Sequence, residues 1–299
     1  MLGELAALGA ALSWTVSALF YRKALGQAKP ISANIVRLAC TGGLLLLIVT
    51  IAGKLNSLAS LPTELAMLSV VSGLIGLGVG DTLYMVSLKT AGVARAVPVT
   101  CTYPLFSLLW TAVLKGEEVT VSVVLGATAI VFGILLLSRS DHASVTDRGQ
   151  QRPLYVGIAF ALATAILWSI SITMINMAVT QAPDLDHALA INTLRTASVA
   201  VALLATAPLL DRDLKFARLN KKTMISLIAG GLVALGLGWF FLAYSFIETT
   251  ESRAVPISST TPLFSTLAGI LLFHEKMTIK GILGSVIIVL GIFIIFFVR

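Results

Sequence analysis

Long apolar runs separated by short polar breaks fill almost the entire chain. Ten of them reach about the twenty residues that a helix needs to cross a bilayer: residues 2–21, 31–52, 65–88, 95–114, 119–138, 154–178, 188–210, 223–246, 253–273 and 278–298. The runs are too long for strands and lack the two-residue alternation of a membrane barrel, so each is predicted to be a transmembrane helix.

The pattern occurs twice. Arg95, Pro98, Pro104, Leu105, Phe106 and Ser107 recur as Arg253, Pro256, Pro262, Leu263, Phe264 and Ser265, each 158 residues later. The same spacing relates Asn34 and Arg37 to Asn192 and Arg195. A separation of three residues puts each Asn and its Arg on one helical face. The third run carries Gly73, Gly76, Gly78 and Gly80 ahead of Asp81, and the eighth carries Gly230, Gly231, Gly236 and Gly238 ahead of Trp239. Gly126 and Gly133 of the fifth run return as Gly284 and Gly291 of the tenth. Small residues at this density let helix backbones approach closely in lipid. Trp14 and Trp168 correspond at a spacing of 154, so the second half holds four extra residues, placed in the loop 181–187.

Repeats at fixed spacing define the organisation of a chain. Here they predict an all-α polytopic membrane protein of ten transmembrane helices in two five-helix repeats, residues 1–140 and 154–299, joined by a linker at 141–153. Because five is odd, the second repeat enters from the opposite side of the membrane and lies inverted. Inverted repeats around a central site are a recurring transporter architecture.

Composition agrees with this reading: 57% of the 299 residues are hydrophobic and 12% charged, against about 25% charged in soluble domains. The net charge of +7 comes from Lys and Arg lying mainly between apolar runs, where they set orientation; nucleic acid is not an expected partner. Fifteen fall in the odd-numbered connections, and four in the even ones and the C-terminus. That bias puts the odd connections in the cytoplasm and both termini outside. Cys40 and Cys101 lie within spans and read as core thiols. The first apolar run has no basic stretch before it and reads as a span, not a cleaved signal.

With Arg37 and Arg195, the glycine-rich third and eighth runs, the paired prolines, the acidic turns at Glu117 and Glu275, and the later glycines, the chain resembles the EamA-type members of the drug/metabolite transporter superfamily. The resemblance covers both halves. It implies a ten-helix bundle in the cell membrane that moves small metabolites such as amino acids or related compounds, with cytoplasmic termini, the reverse of the charge count.

Asp81 is the sharpest candidate for chemistry. A carboxylate at the bilayer centre costs about 2.5–3.5 kcal/mol, and such residues relay protons or bind cations; the alternative is a packing role paired with Arg37, Lys89 or Arg95. Arg37 and Arg195 can take an anionic group on a substrate, or hold the bundle together through carbonyls and neighbouring Asn. Thr102, Tyr103, Ser259 and Thr260 flank the prolines and either line a cavity between the fourth and ninth spans or repair the carbonyls that proline frees. Trp14, Tyr84, Trp168 and Trp239 can stack on a flat or cationic substrate, with core packing as the alternative. Glu117 and Glu275 complement helix N-termini.

His142, His187 and His274 show no metal-ligand spacing, and no phosphate-binding loop or nucleophile motif occurs. The expectation is therefore a secondary transporter without cofactor or metal, working by alternating access with protons as the candidate coupling ion. Its expected partners are a small-molecule substrate, the lipid bilayer and, as a further candidate, a second copy of the chain. The competing class is a non-transporting scaffold or intramembrane enzyme.

Overall fold

The computed structural model describes residues 1–91, 96, 99–116, 118–138, 151–211, 214–273 and 278–297. Arg95, Pro98, Glu117, Glu275 and most of the linker lie outside them. All regular elements among the described residues are helices. Among the described residues six stretches are long and apolar enough to cross a membrane: Leu2–Tyr21, Pro30–Ile51, Thr63–Ser87, Tyr155–Gln181, Leu185–Leu210 and Lys221–Glu248; Val121–Leu136 and Ile279–Ile295 are shorter apolar helices.

The first half comprises α1 (Leu2–Leu25), α2 (Pro30–Ile51), a short connecting helix α3 (Leu55–Ala59), α4 (Thr63–Gly73), α5 (Asp81–Ala91), α6 (Tyr103–Lys115) and α7 (Val121–Ser138). The second comprises α8 (Gln151–Gln181), α9 (Leu185–Leu210), α10 (Lys221–Gly231), α11 (Trp239–Glu248), α12 (Glu251–Ser258), α13 (Thr261–Phe273) and α14 (Ile279–Phe297). Several boundaries differ from the apolar pattern. α8 starts at Gln151 and so takes three residues from the expected linker. The short helix α3 and a 3-10 turn at Lys215–Arg218 occupy connections between apolar runs.

The fourth and ninth spans are not single helices. Cys101 and Thr102 form a turn before α6, and Ser259 and Thr260 form the corresponding turn between α12 and α13. Pro104 and Pro262 are each the second residue of the helix that follows. A proline has no N–H to give the preceding turn, but fits the first turn of a new helix at no cost in hydrogen bonding.

A second shared departure is a widened turn. Leu74–Gly80 joins α4 to α5 as π-helix, and Leu232–Gly238 joins α10 to α11 in the same way. A π turn leaves ladder carbonyls in need of partners, and in lipid those partners must come from the protein. Asn34 Nδ2 donates to Leu77 O at 3.0 Å, and Asn192 Nδ2 donates to Leu235 O at 2.9 Å. The repeated Asn therefore caps the repeated break.

The halves interlock. α1 packs on α10, α11 and the second π turn, while α8 packs on α4, α5 and the first; α2 lies against α9, and α7 against α14. Backbones touch where glycines allow it. A Cβ on Gly126 would stand 2.8 Å from Gly291 O, and one on Gly291 would stand 2.7 Å from Gly126 O. Gly73 and Gly231 likewise press against the carbonyls of Arg195 and Arg37.

Polarity is inverted relative to a soluble bundle. Leu47, Val113, Leu125, Phe132, Leu290 and Phe293 are each more than half exposed, whereas Asn34, Thr41, Asn192, Arg195 and Thr196 are buried. Apolar outside and polar inside is the arrangement that a lipid solvent favours. The protein is a multi-pass membrane protein.

Candidate functional site

The buried centre of the interface between halves is built on the two π turns. Asp81 is the first residue of α5, directly after the first π turn, and is 7% exposed. Arg37, on α2 and 6% exposed, donates from Nη2 to Asp81 Oδ2. Its Nε donates to Asn34 Oδ1 at 2.8 Å, and its guanidinium lies over the Tyr21 ring at 5.3 Å. The other carboxylate oxygen is met from the second half, where Trp168 Nε1 donates to Asp81 Oδ1 at 2.9 Å. Trp168 in turn stands against Tyr84 and Tyr103, with ring centroids 5.0 and 6.1 Å apart. Arg37, Asp81, Tyr84, Tyr103 and Trp168 thus form one cluster.

Across the interface the same places hold different chemistry. Trp239 stands where the repeat would put a second Asp81, and Arg195 stacks its guanidinium on the Trp239 ring at 3.7 Å. Arg195 is 0% exposed and has no carboxylate within ion-pair distance among the described residues. Its Nε donates to Ser72 Oγ at 3.1 Å and its Nη2 to Ser171 Oγ at 2.9 Å, while Nη1 has no partner there. Asn192 Oδ1, the counterpart of the atom that receives Arg37, is likewise without a partner. The repeats differ here both in Asp81 against Trp239 and in Ser72 against Gly230, and the two arginines take different partners. Trp14 completes this second cluster, edge-on to Trp239 at 5.7 Å with its Nε1 donating to Ala234 O at 3.2 Å. Arg37 therefore holds Asp81 directly, whereas Arg195 acts on that carboxylate only through space.

The structure does not bring Thr102, Ser259 and Thr260 into either cluster. Their hydroxyls donate to Val99 O, Pro256 O and Ile257 O of their own turns, at 2.7, 2.6 and 2.7 Å. Tyr103 reaches across the spans, with its hydroxyl 3.5 Å from Ser258 Oγ.

Another polar group escaped the sequence reading. Glu251 opens α12 and is 0% exposed; Ser107 and Thr173 donate to its Oε1 at 2.8 and 2.6 Å, and Lys115 Nζ lies 3.6 Å from Oε2. Glu251 sits at the edge of an apolar run, where a carboxylate is usual, and only the packing of α12 against two distant helices, α6 and α8, buries it. The weak signal was Lys115, a charge at the end of a span that matches Phe273 in the other repeat.

The profile of the EamA-like transporter family matches residues 1–139 and again residues 155–297. The chain belongs to the EamA-like transporter family. A protein of Archaeoglobus fulgidus described as an uncharacterized transporter is 25% identical over 300 residues, covering 99% of this chain and 98% of the relative. A second uncharacterized transporter of that organism is 24% identical over 196 residues, covering 64% and 63% of the two chains. A solved structure described only as "Crystal structure of protein" superposes with a TM-score of 0.77 at 18% identity, covering 98% of this chain and 95% of that one. This similarity concerns the fold. Within this EamA-like transporter, the family match restarts after the segment between the halves, so each cluster above joins residues from both matches.

Proposed function

We propose that this transporter moves a small polar or amphipathic metabolite, amino-acid-like compounds among them, across the plasma membrane by alternating access between two inverted five-helix halves. Asp81 is the coupling carboxylate, exchanging a proton as the halves rock. Arg37, Tyr84, Tyr103 and Trp168 form one wall of the cargo site, and Arg195, Trp239 and Trp14 form the other. The observation that carries this reading is the Asp81 carboxylate, held on one oxygen by Arg37 of its own half and on the other by Trp168 of the opposite half. Relative motion of the halves must break one of these bonds, so the protonation state of Asp81 and the conformation are linked. The repeat spacing does not demand an acid at this place, because its counterpart is Trp239.

The test uses purified protein in liposomes, screened for saturable counterflow over a metabolite panel. Asp81→Asn should retain counterflow of the identified cargo and lose accumulation driven by a pH gradient. Normal gradient-driven accumulation by that variant would remove Asp81 from the coupling step. Absence of flux for every compound in the panel would count against the transport reading itself.

A further inference from the structure

A cavity of about 450 Å³ is lined by Lys115, Asn176, Thr180, Glu248, Thr250 and Glu251. It lies at the face that carries the N-terminus, since Thr249 beside it hydrogen-bonds Glu4 at 3.5 Å. From this cavity toward the centre, α6 and α8 pack on each other through unusually polar faces. On α6 the row is Lys115, Thr111, Ser107 and Tyr103, at steps of four; on α8 it is Thr180, Asn176, Thr173 and Ser169, at steps of four, three and four. Such steps keep each row on one helical stripe. Lys115 Nζ donates to Asn176 Oδ1 at the outer end, and Trp110 Nε1 donates to Ser169 Oγ at 2.9 Å at the inner end. Between them Glu251 enters from α12 and takes both the Ser107 and the Thr173 hydroxyls. The row ends at Tyr103, which stands against Trp168 and through it reaches Asp81.

Two apolar helices in lipid can pack through small residues alone, and charged groups at that depth are expensive. The repeat does not require these charges either, because Lys115 and Glu251 correspond to Phe273 and Val93. We propose that this seam is the route by which cargo passes between the N-terminal face and the central cluster, and that the Lys115–Glu251 pair is its gate. This rests on the transport reading above. The pair ties α6 of one half to α12 of the other, with Nζ and Oε2 3.6 Å apart, in contact but beyond a good hydrogen bond. Cargo carrying a charged or strongly hydrogen-bonding group can take the place of either partner while it passes. The turn at Ser259–Thr260 gives α12 a joint on which to swing from the seam.

The test is a cysteine accessibility measurement on protein in nanodiscs, with Cys40 and Cys101 replaced by Ala and Ser169→Cys as reporter. Ser169 is 0% exposed and lies one turn inward of Thr173, on the far side of the gate. The probe is a charged methanethiosulfonate, and Thr180→Cys, in the cavity wall, is the freely labelled control. Glu251→Gln and Lys115→Met should each raise the labelling rate of the Ser169→Cys reporter by about tenfold or more, because labelling of a protected site follows the population of the open form. The reversed pair, Lys115→Glu with Glu251→Lys, should restore protection. Unchanged rates in the single variants would overturn the gate, and so would fast labelling that the reversed pair fails to slow. If Glu251→Gln is not monodisperse, Lys115→Met alone decides. Because the readout needs no cargo and leaves Asp81 intact, its failure is distinguishable from failure of the coupling test.

Discussion

Arg37→Met removes a buried charge while keeping most of the chain's bulk. It strands the Asp81 carboxylate, 7% exposed, with Trp168 Nε1 as its remaining direct partner. Removing one member of a buried ion pair costs about 3–5 kcal/mol, and the nearby Arg195 charge should hold the value toward the lower end. Arg195→Met occupies the equivalent place in the other half, yet the balance differs. It forfeits two hydrogen bonds from a charged donor, about 1.5–3 kcal/mol each, and a desolvated cation–π contact of about 2 kcal/mol. Against this it removes an ion that has no carboxylate partner among the described residues, and burial of such an ion costs several kcal/mol. Ser72 and Ser171 remain satisfied, since each hydroxyl donates to the other residue's carbonyl at 2.8 Å. The net change should fall within about 2 kcal/mol of zero, with no carboxylate left unpaired. Reversible unfolding of detergent-solubilised protein would measure both. Arg37→Met with Asp81→Asn completes a double-mutant cycle whose coupling should reach about 2 kcal/mol or more. Equal destabilisation by the two arginine substitutions, or an additive cycle, would refute the claim that their different partners set their different roles.

Three further outcomes follow from the packing. Gly126→Val drives a side chain into Gly291 O and should cost about 1–3 kcal/mol in the same unfolding assay; Gly43→Ala, which meets nothing within 4 Å, should gain about 0.5–1 kcal/mol. Asn34→Leu leaves the Leu77 carbonyl without its side-chain donor and should cost about 1–3 kcal/mol; the matching loss at Asn192 would show that both π turns depend on the same cap. Asp184 caps α9 by accepting from the His187 backbone N–H, and that bond holds its carboxyl below the ordinary carboxylate range. A depressed acid stabilises the fold above its unfolded pKa and loses that effect as pH falls through its folded pKa. The cost of Asp184→Ala, about 1 kcal/mol at neutral pH, should therefore shrink once the pH drops below the ordinary Asp range.

Much of the architecture was legible along the chain because the bilayer imposes a length and a polarity on each span, and because duplication wrote the same signals twice. The apolar runs, the pairing of Asn34 with Arg37, and the glycines at the α7–α14 crossing all follow from periodicity and spacing. Local chemistry marked Pro104 and Pro262 as places where the helical ladder loses a donor, though not that the fourth and ninth spans would divide at the turns just before them. The π turns were hidden, since a widened turn differs from an α turn by where one carbonyl finds its partner, and that partner is 43 residues away on another helix. The candidate site divides in the same way. Asp81 stood out by itself as a charge inside an apolar run. That Arg37 holds it is decided by the packing of α2 on α5, and interlocking of the two halves decides that Trp168 reaches it from the other half and that Arg195 lies against Trp239 with no carboxylate partner among the described residues. Glu251 makes the distinction sharpest. In the sequence it is an ordinary acid at a helix start, and only the meeting of α6, α8 and α12 turns it into a buried charge, because burial depends on neighbours that no local pattern contains.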